Sequence, residues 1–456
     1  MNPEIFKEYD IRGVAGKDFD ENDLFLIGRA LGTFLKQRGR TRLSVGRDCR
    51  VTSDLYRDRL VEGLVATGCH VVDVGVCPTP VFYFSIRSLG LEGGAMVTAS
   101  HNPKEFNGLK LCSGLDSIHG ADILKIADLI QSREFAEGKG SLEQKDVMPA
   151  YRAFMKENIR LSRPLKVGVD AGNGVAGPVV APLLREMGCE VHDLFCDMDG
   201  TFPNHEADPT VEENMRALSR LVREKNLDLG VGYDGDGDRL GVVDEKGRMI
   251  AGDRLMIVFI RDILKKSPGA TFISEVKCSR VLYDEIEALG GRGIMWKTGH
   301  SLIKGKMKEE KAVFAGELSG HLFFGDRYFG YDDAIYAALR LLEILSATGQ
   351  SVSGLLSDVP ETVNTPEIRI ERPDSEKFEI VRAAGEYFKK SHEVIDIDGA
   401  RIMFEGGWAL VRASNTQPAL SLRFEADTPG RLDEIRAIVE GKLKEISEKI
   451  IPGSAF

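Results

Sequence analysis

Three aspartates at alternate positions, Asp234, Asp236 and Asp238, are separated by Gly235 and Gly237 and followed by Arg239. Glycines let a backbone wrap tightly, so that all three carboxylates can turn toward one hard cation. In a plain turn between two strands the same acids would repel one another with no ion between them. The apolar runs VGY before and LGVV after the hexapeptide read as such strands. A twelve-residue calcium loop is a second reading, since Glu245 stands at its twelfth position. It fails at the sixth, where Arg239 replaces the required glycine, and at the flanks, which are strand-like rather than helical. The spacing predicts a divalent ion, Mg²⁺, with three protein ligands and room for a phosphate oxygen.

A second segment, Thr98-Ala99-Ser100-His101-Asn102-Pro103, follows the apolar run GGAMV. Ser100 at the end of a strand is a candidate nucleophile; an ordinary Ser/Asn/Pro turn is the alternative. The G-x-S-x-G spacing of a hydrolase elbow is absent. Lys110 lies ten residues on. Further along, Glu317, Ser319 and His321 sit among glycines in GELSGH, a polar rim suited to hydroxyl groups. Arg412, Ser414, Asn415 and Thr416 in RASNTQP combine a guanidinium, hydroxyls, an amide and backbone N–H groups, the materials of a phosphate cradle.

Two glycine-rich segments are weaker signals. GNGVAG, residues 172–177, matches a dinucleotide fingerprint, and Asp193 ends the next predicted strand. Pro178 and Pro182 lie early in the following helix, and the acid comes a few residues too soon, so tight strand–helix packing is the preferred reading. GHSLIKGK has one residue too many between its glycines for a phosphate-binding P-loop, and Met307 replaces the needed Ser or Thr.

The elements that must position these residues alternate as strand, Gly-rich loop and helix. Residues 42–48 read as a buried strand; Ser53 is expected to cap the amphipathic helix that follows, Gly68 to end it, and residues 69–75 to form the next strand. The same grammar returns at Leu165 and Thr271. Three weakly repeated α/β units are expected, each with a largely parallel sheet, because parallel neighbours need crossover helices. The last quarter gathers strands instead: PEIRIE, a hairpin turning at Asp398-Gly399, GWALVRA and ALSLRFEA, with helices over 374–390 and from Pro429. That pattern predicts an α+β domain. Boundaries fall near 146, 248 and 361, dividing the chain into 1–146, 147–248, 249–361 and 362–456.

The chain has 456 residues, 43% hydrophobic and 29% charged. This length calls for several domains rather than one core. The composition is that of a globular protein and excludes a disordered chain, a fibre and a membrane bundle. No signal peptide is visible, and the seven cysteines contain no C-x-x-C pair, so free thiols in a reducing, cytoplasmic setting are expected. A net charge of −11 argues against a general nucleic-acid or acidic-membrane binder, though not against a local anion pocket.

Taken in order, the motifs resemble the α-D-phosphohexomutases, most closely their bacterial phosphomannomutase/phosphoglucomutase branch. The resemblance runs from Tyr9-Asp10-Ile11-Arg12-Gly13 through VGRD, TASHNP, DGDGDR, EVKCS, KTGHS and GELSGH to RASNTQP, nearly the whole chain. It implies three similar α/β domains plus a fourth α+β domain around a central cleft. It further implies that Ser100 carries a phosphate and joins Asp234, Asp236 and Asp238 around Mg²⁺. The implied reaction moves phosphate between the 1- and 6-positions of mannose or glucose, through a hexose 1,6-bisphosphate that reorients before returning a phosphate to Ser100. In such a reaction positioning and charge dominate. Arg12, Lys110 and Arg239 are candidates to surround the phosphoryl group, and Lys110 or His321 to carry the hydroxyl proton. By the same resemblance Arg412, Ser414, Asn415 and Thr416 would grip the distal phosphate, Tyr9, Lys277 and His300 would help to bind the substrate, and Glu317 and Ser319 would bind ring hydroxyls. The fourth domain is expected to be hinged.

Three other readings compete. A phosphoglucosamine mutase is disfavoured by Leu318 within GELSGH and by TASHNP in place of SASHNP. A sugar-phosphate-binding protein without catalysis is disfavoured by the intact Ser100, aspartate loop and clamp. A dinucleotide enzyme would rest on 172–177 alone. The expected partners are small sugar phosphates, with neither nucleic acid nor membrane; oligomeric state is not encoded legibly.

Overall fold

The computed structural model describes residues 1–414 and 418–450. It contains four sheets, of seven, five, four and six strands in chain order. The first has the order 11–14, 106–113, 93–97, 42–47, 70–76, 141–144, with 116–117 paired to 106–113. Strands 93–97, 42–47, 70–76 and 141–144 run parallel. Helices Ser53–Ala66 and Thr79–Ser88 make the crossovers between them. In the second sheet Lys166–Asp170 runs parallel to both Glu190–Leu194 and the central strand Leu229–Tyr233. The third centres on Thr271–Glu275, parallel to Arg292–Trp296 and Phe314–Gly316. The fourth is antiparallel throughout, with helices Asp374–Phe388 and Pro429–Ile450 on it. The expected multi-domain α/β architecture with a terminal α+β unit is what the chain adopts.

One detail repeats in all three α/β sheets. Each ends its parallel run with an antiparallel hairpin, and each hairpin tip is one of the polar motifs. Val97 pairs with Leu109 around the serine loop, Tyr233 with Leu240 around the aspartate loop, and Gly316 with Leu322 around the Glu317–His321 loop. Two paired strands hold the ends of each loop, which fixes loop tips far better than a free connection does.

The largest apolar core crosses the first three units without a break. It runs from Val74, Phe82 and Tyr83 through Tyr151, Val167 and Val231 to Phe259, Phe324 and Tyr336, all buried. The fourth unit keeps its own core around Ile380, Phe388, Ile402, Leu422, Val439 and Leu443. It meets the third through a small cluster of Val276, Trp408 and Leu410. A shared core ties three units into one body, whereas the fourth keeps its own core and meets the third through this cluster and a set of polar contacts.

One local expectation changes. Ser53 is the first residue of its helix rather than its cap, and the capping position, Thr52, makes no side-chain cap bond. The Ser53 hydroxyl instead donates to Asp48 Oδ1 at 2.6 Å. The hairpin at Asp398-Gly399 forms as expected, pairing Val394 with Ile402. All seven cysteines are free thiols. Among the described residues no helix is long and apolar enough to cross a membrane.

Candidate active site

The serine and aspartate loops, 134 residues apart in sequence, meet face to face. The Ser100 hydroxyl donates to Asp234 Oδ2 at 2.6 Å, and Ser100 is only 2% exposed. Gly235 makes the approach possible, since a Cβ there would stand 2.5 Å from the Ser100 carbonyl oxygen. Gly174 backs the aspartate loop in the same way: its Cβ would lie 2.7 Å from the Gly235 carbonyl, and the Val175 N–H donates to that carbonyl. The glycines of 172–177 thus serve close backbone packing. Asp193, the acid of the dinucleotide reading, pairs instead with Arg185 at 2.5 Å. Glu245, the twelfth residue of the calcium-loop reading, accepts from the Ser353 hydroxyl and lies outside the cluster.

Asp234, Asp236 and Asp238 are fully buried, and one oxygen of each lies within 4.8 Å of the others. Asp234 Oδ1 accepts the N–H groups of Asp238 and Arg239 at 3.0 and 3.1 Å, which curls the loop. Asp236 Oδ2 takes the Thr79 hydroxyl and Lys110 Nζ, both at 2.6 Å. Its Oδ1 is buried without a hydrogen-bond partner. Burial, together with Asp236 and Asp238, pushes the Asp234 carboxyl well above the usual carboxylate range. Three carboxylates buried this close together are poised for a cation, and hard oxygen donors suit a divalent ion. The residues present therefore fit a metal at this place.

The cationic residues divide by environment. Lys110 donates to Asp236 and Asp238 together. Burial opposes its charge, but those two carboxylates push its pKa up, so it is held as an ammonium ion. His321 lies between Asp238 Oδ1 at 3.2 Å and Glu317 Oε2 at 2.9 Å. Burial alone would lower its pKa; Asp238 and Glu317 hold it up at about 9. His300 stacks on it with ring centroids 5.5 Å apart, and its pKa falls well below 6.5 through burial and the charges of Lys304 and Lys110. The site thus sets a protonated imidazole against a neutral one. Arg239 Nε stands 3.4 Å from His321 Nε2, and Ser319 Oγ lies 3.3 Å from His321 Nδ1. Arg12 reaches the serine loop through Asn102 Oδ1 at 2.6 Å and is steadied by Asp10 at 2.5 Å.

A second group spans the third and fourth units. Asp398 Oδ2 accepts from Arg412 Nε at 2.7 Å and from the Thr298 N–H at 3.0 Å. The Tyr9 hydroxyl donates to the Thr298 carbonyl at 2.8 Å. Lys277 sits 3.8 Å from Glu367, with its own N–H held by Glu275 at 2.7 Å. Arg401 secures that loop: it stacks 3.8 Å from Trp408 and donates to the carbonyls of Val276 and Cys278 at 2.7 Å each. The Ser414 carbonyl accepts from Lys377 at 2.6 Å. Asn415 and Thr416, expected in the phosphate clamp, lie outside the described residues.

Sequence reasoning missed Asp332, Lys304, Thr79 and Asp398. Asp332 is fully buried, its carboxylate has no hydrogen-bond partner, and it faces Lys304 Nζ at 3.4 Å and His300 Nδ1 at 3.7 Å. With Asp238 and His321 it forms a second cluster of possible ligands. Only its place in a polar run, GYDD, hints at a site, and Lys304 is hidden in a segment that looks like a failed P-loop.

Comparison with known proteins agrees with this geometry. Four family models, described as phosphoglucomutase/phosphomannomutase alpha/beta/alpha domains I, II and III and the C-terminal domain, match residues 3–137, 149–247, 251–363 and 367–442. A phosphomannomutase/phosphoglucomutase of Pseudomonas aeruginosa is 44% identical over 447 residues, covering 98% of this chain and 96% of that protein. A phosphoglucomutase of Neisseria meningitidis is 41% identical, covering 96% and 97%. The crystal structure of a phosphoglucomutase/phosphomannomutase family protein from Burkholderia thailandensis superposes with a TM-score of 0.92 at 40% identity, over 100% of this chain and 99% of that one.

Proposed function

This chain belongs to the phosphoglucomutase/phosphomannomutase family, and on that premise we propose that it is a hexose-phosphate mutase acting on both glucose and mannose phosphates through Ser100. The observation that carries this reading is the Ser100 hydroxyl donating to Asp234 inside a buried cluster of three aspartates and one lysine. A serine in that place can carry a phosphoryl group and pass it to a sugar hydroxyl, giving a hexose 1,6-bisphosphate. After reorientation the other phosphate returns to Ser100, leaving the isomeric monophosphate. The same bisphosphate serves as activator, since it can charge an unphosphorylated Ser100.

A loose phosphoryl-transfer transition state asks mainly for alignment and positive charge. Lys110, held protonated, supplies fixed charge rather than a base, and Arg12 and Arg239 add to it. His321, held protonated between Asp238 and Glu317, gives a proton to the oxygen that loses the phosphoryl group and takes one from the attacking hydroxyl in the reverse direction. Asp234, Asp236, Asp238 and an oxygen on Ser100 would hold Mg²⁺, which when bound neutralises charge on the transferring group. Arg412 and Ser414, with Asn415 and Thr416, would grip the phosphate that is not reacting, Lys277, His300 and Tyr9 would orient the substrate, and Glu317 and Ser319 would meet ring hydroxyls. Contacts distant from C1 and C6 survive an end-for-end turn and tolerate either configuration at C2.

Phosphorus NMR tests the proposal. Purified protein with Mg²⁺ and a trace of glucose 1,6-bisphosphate is given glucose 1-phosphate or mannose 1-phosphate. Both 6-phosphates should appear. If neither does, and glucosamine 1-phosphate is turned over instead, the substrate assignment falls.

A further inference from the structure

We infer that Arg50 is a positioning residue that holds the serine loop in its reactive shape; this rests on the mutase reading of Ser100. Arg50 lies just after the VGRD segment and is 3% exposed. Its guanidinium has five N–H donors in a rigid plane. All five are used. Nε donates to Asp48 Oδ2 at 3.1 Å. One terminal nitrogen donates to the carbonyls of Pro103 and Phe106 at 2.7 and 3.1 Å. The other donates to the carbonyls of Ser100 and Asn102 at 2.8 and 2.6 Å. Asp48 is itself fixed by the Ser53 hydroxyl and by the Arg50 N–H.

The loop needs such a holder. Ser100 has φ of +51°, a left-handed conformation that an ordinary L-residue adopts only under constraint. Several of the loop's carbonyls turn toward the buried Arg50 side chain, which supplies their hydrogen-bond donors. A single planar fork aimed at four of them both meets that need and sets the twist of the loop. The twist in turn decides whether Oγ points at Asp234. Arg50 also faces the second unit: its guanidinium lies 5.0 Å from the Phe202 ring, and its backbone bridges to Gly200. The serine loop and the segment beside the aspartate loop are thereby registered through one residue. Lysine has three donors on a point charge and cannot replace the fork.

The test compares wild type, Arg50→Lys and Arg50→Gly in glucose 1-phosphate turnover, with circular dichroism to check folding. Wild-type turnover that disappears in Ser100→Ala establishes the underlying reading separately. Arg50→Lys should then lower kcat roughly 10²-fold with KM within about threefold, because alignment is lost while binding groups remain. Methylguanidinium should restore part of kcat to Arg50→Gly, and methylammonium should not. A folded Arg50→Lys with wild-type kcat, a rise in KM alone, or equal rescue by both amines would overturn the inference. Should the Arg50 variants fail to fold, Asp48→Asn carries the test: it should lower kcat about tenfold at constant KM, and unchanged kcat there overturns it.

Discussion

The Ser100 hydroxyl and the Asp234 carboxylate form a 2.6 Å hydrogen bond between the tips of two hairpins that belong to different sheets. Neither loop is a site alone. The serine loop has a hydroxyl and no cation-binding group; the aspartate loop has oxygens and nothing to transfer. Joined, they put a phosphorylatable oxygen next to the place where a divalent ion fits.

Ser100→Ala removes that oxygen with little change in volume. Turnover should fall at least about 10³-fold while the far-ultraviolet dichroism stays the same. Intact mass after incubation with glucose 1,6-bisphosphate should show one added phosphoryl group in wild type and none in the variant. Persistent activity in the alanine protein would rule out transfer through this serine.

Removal of divalent metal by a chelator should abolish turnover, and Mg²⁺ should restore it. Mg²⁺ should also raise the unfolding temperature, since a ligand that binds only the folded state stabilises it. Asp236→Asn should lose most of that shift. An unaltered Mg²⁺ response in this variant would place the ion elsewhere.

Lys110 neutralises the same carboxylates that would hold the metal. Lys110→Met should therefore bind Mg²⁺ several-fold more tightly, by reduced repulsion between cations, while kcat falls about 10²-fold or more. Calorimetric titration beside steady-state kinetics separates the two effects. Weaker Mg²⁺ binding in the variant would contradict the charge assignment.

Asp398→Ala removes the acceptor shared by Arg412 and Thr298, and with it a link between the third and fourth units. KM for glucose 1-phosphate should rise about tenfold with a smaller change in kcat, because the role proposed for Arg412 is to bind rather than to react. A drop confined to kcat would argue against a clamp.

Asp333 gives a pH signature. It accepts from the Tyr151 and Tyr328 hydroxyls in a buried aromatic cluster, and burial pushes its carboxyl from 3.8 up to about 7. A raised pKa in the folded state means that folding favours the protonated form. That stability is fully present below about pH 4 and is lost as pH rises through about 7. Asp333→Asn does not titrate. Its unfolding free energy relative to wild type should improve by up to about 3 kcal/mol between about pH 5 and pH 8. Denaturant curves at the two pH values give the difference, and parallel behaviour of the two proteins would remove Asp333 from the pH response.

The chemistry of this protein is legible in its sequence because small loops must spell out what they do. DGDGDR spells out a candidate cation site: glycines permit the wrap, and the aspartates supply hard, charged oxygens. The unit count follows from the repeated strand–loop–helix grammar, which reflects the backbone rules of parallel sheets. Residues 172–177 show the limit. Their glycines allow close backbone approach in either case, and sequence spacing does not say what comes close. Tertiary structure shows backbone in both places, the Gly235 carbonyl against Gly174 and the Cys196 carbonyl against Gly177. Asp332 and Lys304 are hidden for a related reason: an acid and a base on different elements become a pair only when packing buries them together. Lys110 and His321 both stand in the sequence as candidate proton carriers. Their roles separate only in the folded protein, where two carboxylates hold the lysine charged and the aspartate and glutamate around His321 set its pKa. Residue type determines what a group can do; the neighbours that burial assigns to it determine which of those things it does.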